Sequence, residues 1–197
     1  MIVVKMGGSL YNTPELHHWL KVLAAYSARQ SVVIVPGGGP FADQVRAAQK
    51  VYHFDDETAH HMAIVAMKQF GLLLSALSPN SQIITGKDIP NSPFSIYLAD
   101  DELLSEASLL KSWDISSDSI ALWLANILNA EKLLLIKRVA VKTNSISELT
   151  ENDIIDKGFA DLFSQSTVNT NIIHYQAYAR LLDYTSKTGN KLSLQLP

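Results

Sequence analysis

The chain has 197 residues, of which 47% are hydrophobic and 18% charged, and its formal net charge is −3. This length and composition suffice for one substantial core, so we predict a single domain over residues 1–197. No apolar run approaches the ~20 residues of a membrane-spanning helix, no basic block suggests nucleic-acid binding, and the lack of cysteine excludes disulfides and thiolate metal sites. The N-terminus has no secretory signal pattern, so we expect a cytoplasmic protein without membrane or nucleic-acid partners.

Apolar runs with strand character alternate along the chain with segments of helical periodicity. The predicted strands are residues 2–6, 31–35, 82–85, 94–98, 132–136 and 191–196. The predicted helices are residues 14–24, 41–51, 57–77, 118–129, 151–165 and 174–187. The first of these helices follows Thr13, a typical N-cap, and has Pro14 at its first position. Such alternation predicts an α/β fold with a mostly parallel sheet that is covered by helices on both faces.

Two glycine clusters follow the first two predicted strands. Gly7 and Gly8 come after the first strand, and Gly37, Gly38 and Gly39 come after the second. Ligands of parallel sheets bind beyond the carboxyl ends of the strands, and glycine lets backbone N–H groups approach an anion closely. The two loops are therefore predicted to hold two phosphoryl-bearing groups face to face, as a phosphotransferase requires. A purely structural turn is the alternative for each loop, since neither matches the P-loop or the dinucleotide-binding pattern.

Three further residues are candidates for chemistry. Lys5 ends the first strand and can reach a phosphate held by the glycines, although an exposed strand-end lysine is the alternative. Asp118 begins a predicted helix, where it can serve as a cap, orient lysines by ion pairing, or hold a metal bound to nucleotide phosphates. His60 and its neighbour His61 point about 100° apart on a helix and make a poor metal pair, so we predict no protein-ligated metal. A substrate contact by one of them competes with a solvated helix face.

Four stretches together resemble the amino acid kinase family. They are VVKMGGSL at 3–10, VIVPGGGPFADQVR at 33–46, WDISSDSIALWLA at 113–125 and LLLIK at 133–137. The combination covers most of the chain and is much more specific than any single motif. The resemblance implies a three-layer αβα sandwich with a mostly parallel central sheet. It also implies transfer of the γ-phosphoryl group of ATP to a carboxylate or phosphate, with Mg²⁺ and without a phosphoenzyme.

Within the family, the sequence is most similar to a branch that acts in methanofuran biosynthesis. The similarity lies in AHHMAIVAMKQFG at 59–71, in the proline before the second glycine cluster and in the tryptophan-rich stretch at 113–125. It implies a small phosphorylated acceptor, an aminomethylfuran phosphate, that becomes a diphosphate. The alternatives are a carboxylate, UMP or isopentenyl phosphate kinase, or a non-catalytic nucleotide- or phosphometabolite-binding relative. The resemblance further implies a homodimer. The apolar helix at 59–77 is one possible interface, and burial of both its faces in the core of one chain is the alternative.

The resemblance assigns roles to individual residues. Lys5 would neutralise charge on the transferring phosphoryl group, and Asp118 would orient Lys5 and a second cation, which is either Lys137 or Lys157. The residues assigned to ATP are Lys5, Gly7, Gly8, Ser9, Lys137 and Val139. The residues assigned to the acceptor are Gly37, Gly38, Gly39, Ser117 and His60.

One segment departs from the family pattern. After the LLLI strand many relatives read Thr-Asp-Val-x-Gly-Val, whereas this chain reads Lys-Arg-Val-Ala-Val at 137–141. The resemblance implies that this segment shapes the nucleotide site. A changed nucleotide site, and even the loss of catalysis, are therefore alternatives to an active kinase.

Overall fold

The structure is a computed structural model that describes residues 1–106, 109 and 112–181, together with the backbone of 192–195. The strands are β1 (Ile2–Met6), β2 (Val32–Pro36), β3 (Gln82–Thr85), β4 (Phe94–Leu98), β5 (Lys132–Lys137), β6 (Asn169–His174) and β7 (Leu192–Gln195). The helices are α1 (Pro14–Tyr26), α2 (Gly39–Tyr52), α3 (Asp56–Ala76), α4 (Asp101–Leu104), α5 (Ser117–Ile127), α6 (Ile146–Glu151) and α7 (Phe159–Gln165). None of the helices within the described residues combines the length and apolarity that crossing a bilayer would require.

The strands form one sheet in the order β3-β4-β2-β1-β5-β6-β7, and each neighbouring pair is parallel. Every residue of β1 is buried, because helices cover both faces of the sheet. Val3 packs into a core with Leu124 of α5 and Phe159 of α7, whereas Val4 packs into a second core with Trp19 of α1. The predicted three-layer αβα architecture with a parallel sheet is confirmed.

The C-terminal third differs from the predicted element pattern. The helix predicted over 174–187 is wrong within the described residues, because Asn169–His174 form β6 and only Tyr178–Leu181 is helical, as a 3-10 turn. Residues 182–187 lie outside the described part of the chain. The strand was missed because the buried residues Thr170 and Asn171 interrupt its apolar run.

Two further predicted elements near the C-terminus are confirmed in part. The helix predicted over 151–165 is present only as α7, because α6 ends at Glu151 and residues 152–158 are not helical. Asp156 lies in that stretch and directs its side chain to α5, which explains the break. The last predicted strand is present over Leu192–Gln195, and its two outer residues, 191 and 196, are not among those described.

The parallel arrangement brings the carboxyl ends of β1, β2 and β5 to one edge of the sheet. Register places Lys5 of β1 opposite Leu135 of β5. Side chains two residues apart on a strand point to the same face, so Lys137 faces the same side as Leu135 and Lys5. Helix α5 covers that side, and Asp118 lies in its first turn. The fold therefore gathers two cations and one carboxylate at the edge where the glycine loops emerge.

Candidate active site

A cavity of about 680 Å³ opens at this edge, between the two glycine loops and the start of α5. The sequence-predicted site residues that line it are Lys5, Gly7, Gly8, Ser9, Gly37, Gly38, Gly39, His60, Ser117, Lys137 and Val139. Asp118 is the remaining predicted site residue. It lies behind the two lysines and is 3% exposed. The structure thus brings the predicted residues together around one cavity.

Asp118 forms ion pairs with two lysines at the cavity wall. Its Oδ1 lies 3.1 Å from Nζ of Lys5, and its Oδ2 lies 2.5 Å from Nζ of Lys137. Burial acts to raise the pKa of Asp118, but the ammonium groups of Lys137 and Lys5 outweigh it and hold that pKa below its usual range. Burial lowers the pKa of Lys137 to about 8, against the opposing effect of Asp118. Asp118 therefore fixes two ammonium groups without facing the cavity itself.

The second cation on Asp118 is Lys137. The sequence left Lys137 and Lys157 as alternatives for this position. Nζ of Lys157 instead lies 3.5 Å from Oδ1 of Asp114, and the Lys157 side chain is 71% exposed. The pairing follows from the sheet register, because β5 runs directly beside β1.

The two glycine loops contact each other through their backbones. The N–H of Gly37 donates a hydrogen bond to the carbonyl oxygen of Met6, at 2.8 Å. A Cβ on Gly8 would lie 2.2 Å from the backbone nitrogen of Gly39, and Gly39 itself has a φ of +56°. Both positions therefore require glycine, one for close approach and the other for its left-handed backbone. This contact keeps the two predicted anion sites adjacent.

Asp156 supports the start of α5 behind the cavity, and sequence reasoning missed this role. Its carboxylate accepts hydrogen bonds from the N–H and hydroxyl of Ser116 at 3.0 and 2.7 Å, and from the N–H of Ser119 at 3.0 Å. The Ser119 hydroxyl and the Phe159 N–H also donate to it. Asp156 thus caps the start of α5 from a distant position in the sequence, in the way that a local N-cap side chain would. Burial, together with the nearby charge of Asp118, raises its pKa.

A local sequence signal for Asp156 was available. It is followed by Lys157 and Gly158, and a glycine inside a helical pattern lowers the helix propensity there. That pattern argues against a continuous helix at this point. It does not identify the partners of Asp156, because Ser116 and Ser119 lie 40 and 37 residues away.

The other end of the cavity lies between α2, α3 and the segment that precedes α5. Nε1 of Trp113 donates a hydrogen bond to Oε1 of Gln49 at 2.8 Å, and the guanidinium of Arg46 lies 4.6 Å from the centre of the Trp113 ring. His60 is buried, and its Nδ1 lies 3.2 Å from the carbonyl oxygen of Ser112. The apolar residues that line this end are Ala63, Ile64, Met67, Ile115 and Ile120. Because this end of the cavity has both polar and apolar walls, it suits a small molecule with one apolar part.

The segment that departs from the family pattern also contributes to the cavity wall. Arg138 and Val139 follow β5 and line the cavity together with Asp153 and Ile154. The guanidinium of Arg138 lies 5.9 Å from the centre of the Tyr175 ring, on the side of β6. With its altered sequence, this segment still forms part of the cavity wall beyond the carboxyl end of β5.

Comparison with known proteins supports the family resemblance seen in the sequence. Residues 1–157 match the amino acid kinase family. The chain is 27% identical over 203 residues to the [5-(aminomethyl)furan-3-yl]methyl phosphate kinase of Methanocaldococcus jannaschii, across 93% of this chain and 92% of that protein.

Solved structures of UMP kinases share the fold. The UMP kinase of Ureaplasma parvum superposes with a TM-score of 0.68 at 16% identity, over 94% of this chain and 96% of that one. The UMP kinase of Bacillus anthracis gives a TM-score of 0.67 at 12% identity, over 98% and 93% of the two chains. The uridylate kinase of Archaeoglobus fulgidus gives 0.64 at 16% identity, over 86% and 88%. At these identities the likeness shows the fold alone.

Proposed function

The chain belongs to the amino acid kinase family, and on that premise we propose that it transfers the γ-phosphoryl group of ATP to an aminomethylfuran phosphate in methanofuran-type cofactor biosynthesis. The observation that carries the proposal is the buried arrangement of Lys5, Asp118 and Lys137 at the wall of a cavity between two glycine loops. The acceptor is taken from the M. jannaschii relative, which matches nearly the whole chain.

The proposed reaction joins two phosphates. An oxygen of the acceptor phosphate forms a bond to the γ-phosphorus of ATP, and the bond from that phosphorus to the β–γ bridging oxygen breaks with its electron pair. ADP leaves, and the acceptor becomes a diphosphate. A phosphate nucleophile is already ionised near pH 7, so no strong general base is needed. Catalysis then depends on alignment and on stabilising charge in the transition state.

The residues divide between the two substrates. Backbone N–H groups of Gly7, Gly8 and Ser9, with Val139 at the wall, are assigned to ATP. Lys5 and Lys137 neutralise charge on the transferring group, and Asp118 is a positioning residue because it contacts the lysines and not the cavity. The residues assigned to the acceptor are Gly37, Gly38, Gly39, Ser117 and His60.

Mg²⁺ is expected to enter with ATP. Asp118 and Asp156 already accept lysine ammonium groups or several hydrogen bonds. Among the described residues, no group of three or more acidic or histidine side chains could hold a metal ion. The site therefore fits a Mg²⁺ that is held mainly by phosphate oxygens and water, as is common for nucleotide-bound Mg²⁺. When bound, it would neutralise phosphate charge.

We also propose a cytoplasmic homodimer built from a single domain over residues 1–197. Helix α3 exposes Met62, Val65 and Leu72 on one face, with exposed fractions of 39%, 42% and 49%. Exposed apolar side chains on one side of a helix can contact a second copy of the chain. Light scattering coupled to size-exclusion chromatography would test it, since Val65→Glu should convert a dimer to a monomer, and a monomeric wild type would contradict it.

The kinase proposal is tested by incubating the protein with Mg²⁺–ATP and a panel of acceptors. The panel contains [5-(aminomethyl)furan-3-yl]methyl phosphate, UMP, isopentenyl phosphate and acidic amino acids. We expect ADP release and a new diphosphate signal in ³¹P NMR with the first compound. Turnover of another acceptor alone would replace the proposal with a different family activity. No turnover and no ATP binding would indicate a non-catalytic relative.

A further inference from the structure

We propose that Arg46, held against the ring of Trp113, binds the phosphate group of the acceptor and so determines specificity for a phosphorylated substrate. This inference rests on the proposed function and extends it, since neither residue belongs to the sites assigned from the family resemblance. Both residues line the cavity at its acceptor end.

The distribution of positive charge supports Arg46 in this role. The lysine and arginine side chains that line the cavity within the described residues are Lys5, Arg46, Lys137 and Arg138. Lys5 and Lys137 share the buried charge of Asp118, so these three groups together carry one net positive charge. Arg46 is instead paired with Asp43 in an exposed contact that water screens. Arg138 points toward β6, on the far side of the cavity. The acceptor phosphate lies beside the γ-phosphate of ATP in the proposed reaction. Arg46 is therefore the cation that can bind it on the acceptor side of the cavity.

The geometry of α2 directs Arg46 toward the acceptor-side glycine loop. Helix α2 begins at Gly39, and Arg46 follows about two turns later. Side chains on a helix lean toward its N-terminus, which carries the guanidinium back toward the loop. Its Nη1 donates to Oδ1 of Asp43 at 2.9 Å, one turn closer to Gly39. This bond uses one of the five N–H donors of the guanidinium. The remaining donors lie in one plane and can bind two oxygens of a phosphate at once.

The ring of Trp113 contacts the guanidinium of Arg46. The guanidinium carbon lies 4.6 Å from the ring centre, and the ring is held in turn by the bond from Nε1 to Gln49 on α2. A cation–π contact of this kind reduces the freedom of the guanidinium and leaves N–H groups available to a ligand. Trp113 also lies five residues before Asp118. One segment therefore positions both the acceptor contact and the lysine pair.

Arg46 contributes little to the stability of the fold, which makes it suitable for mutation. Its side chain is 52% exposed, and its ion pair with Asp43 is an exposed contact within one helix. Such pairs have small effects on stability. Lys21 on α1 is also exposed and cationic, and it lines neither the cavity nor the shallow pocket that Arg46 and Trp113 share with Lys50. Lys21→Gln is therefore a matched control for Arg46→Gln.

The experiment compares two probes that differ only in the phosphate, (furan-3-yl)methyl phosphate and (furan-3-yl)methanol. Calorimetry measures their binding to the wild type and both variants, with and without a nonhydrolysable ATP analogue. We expect Arg46→Gln to weaken binding of the phosphate ester about tenfold or more, since a charged hydrogen bond is lost, and to leave binding of the alcohol and the ATP analogue unchanged. Lys21→Gln should change all three affinities by less than about twofold.

Three results would overturn the assignment. They are no binding of the ester by the wild type, equal ester affinity in Arg46→Gln, and an equal loss for the ester, the alcohol and the ATP analogue. Trp113→Leu should weaken ester binding by a smaller factor than Arg46→Gln, and Trp113→Phe should restore part of it.

Turnover separates this assignment from the proposed kinase activity. If the wild type binds the ester through Arg46 and forms no diphosphate, the kinase proposal fails and the assignment stands. If Arg46→Gln turns over the aminomethylfuran phosphate with an unchanged KM for that acceptor, the assignment fails and the kinase proposal stands.

Discussion

Lys137 and Asp118 form a buried ion pair in which Nζ lies 2.5 Å from Oδ2, while Lys5 occupies the other carboxylate oxygen at 3.1 Å. Removing water from such charges is unfavourable, and a buried ion pair is weak support for stability. The arrangement is better explained by what it does at the cavity wall. One carboxylate holds two ammonium groups where a phosphoryl group with several negative charges would lie.

The activity of the protein is expected to fall as pH rises above about 8. Burial lowers the pKa of Lys137 to about 8, so its ammonium is fully present below that pH and is lost as pH rises through it. Because the charged form is the active one, kcat/KM for ATP should approach a tenfold decrease per pH unit on the alkaline side. Steady-state rates between pH 6 and 10 measure this. Lys137→Arg stays charged throughout and should lose the alkaline decrease. A wild-type profile that stays flat to pH 9.5 would contradict this role of Lys137.

Gly8→Ala is expected to destabilise the fold, because the new Cβ would lie 2.2 Å from the backbone nitrogen of Gly39. The two loops must separate, and overpacking of this kind costs about 1–3 kcal/mol. In a chain of this size each kcal/mol lowers Tm by roughly 2–4 °C. Gly7→Ala is the control, since its Cβ would meet no atom closer than 3.4 Å and its φ of −61° suits alanine. Equal Tm values for the two variants in thermal unfolding would show that the loops are not in contact.

Asp156→Asn is expected to loosen the start of α5. In the native protein the carboxylate accepts hydrogen bonds from backbone N–H groups such as those of Ser116 and Ser119. The asparagine amide has an NH₂ group in place of one oxygen, so a donor faces donors and hydrogen bonds are lost. Unfolding by urea should show a loss of about 1–3 kcal/mol, and hydrogen exchange in the first turn of α5 should increase. Asp114→Asn is the control, because Asp114 is 54% exposed and its ion pair with Lys157 is also exposed. If both variants unfold at the same urea concentration, Asp156 is not the cap of α5.

The central sheet could be predicted from sequence because its strands are buried on both faces. Such strands appear as continuous apolar runs, as in β1, β2 and β5. The glycine clusters then indicated the edge of the sheet at which the cavity lies. The same rule failed at β6, since Thr170 and Asn171 are polar yet buried beside β5. Local composition does not show that a polar residue will be buried in a central strand.

The parts of the site that could not be predicted depend on contacts between distant segments. Lys137 was one of two candidates for the second cation, and only the register of β5 against β1 decides between them. Asp156 and Trp113 act through partners 37 to 64 residues away. Spacing along the chain identifies candidates for chemistry, but the fold determines which of them meet.

The central claim is that Lys5 and Lys137, held by Asp118, carry phosphoryl transfer. The most direct test is the rate at which wild-type and Lys5→Ala proteins convert [5-(aminomethyl)furan-3-yl]methyl phosphate to its diphosphate. In Lys5→Ala the carboxylate of Asp118 keeps Lys137, so the fold should survive, and circular dichroism checks this. We predict that kcat falls by a factor of about 10²–10³, as expected when one preorganised charge is removed from a transition state. Near-normal turnover in a folded Lys5→Ala protein would contradict the claim.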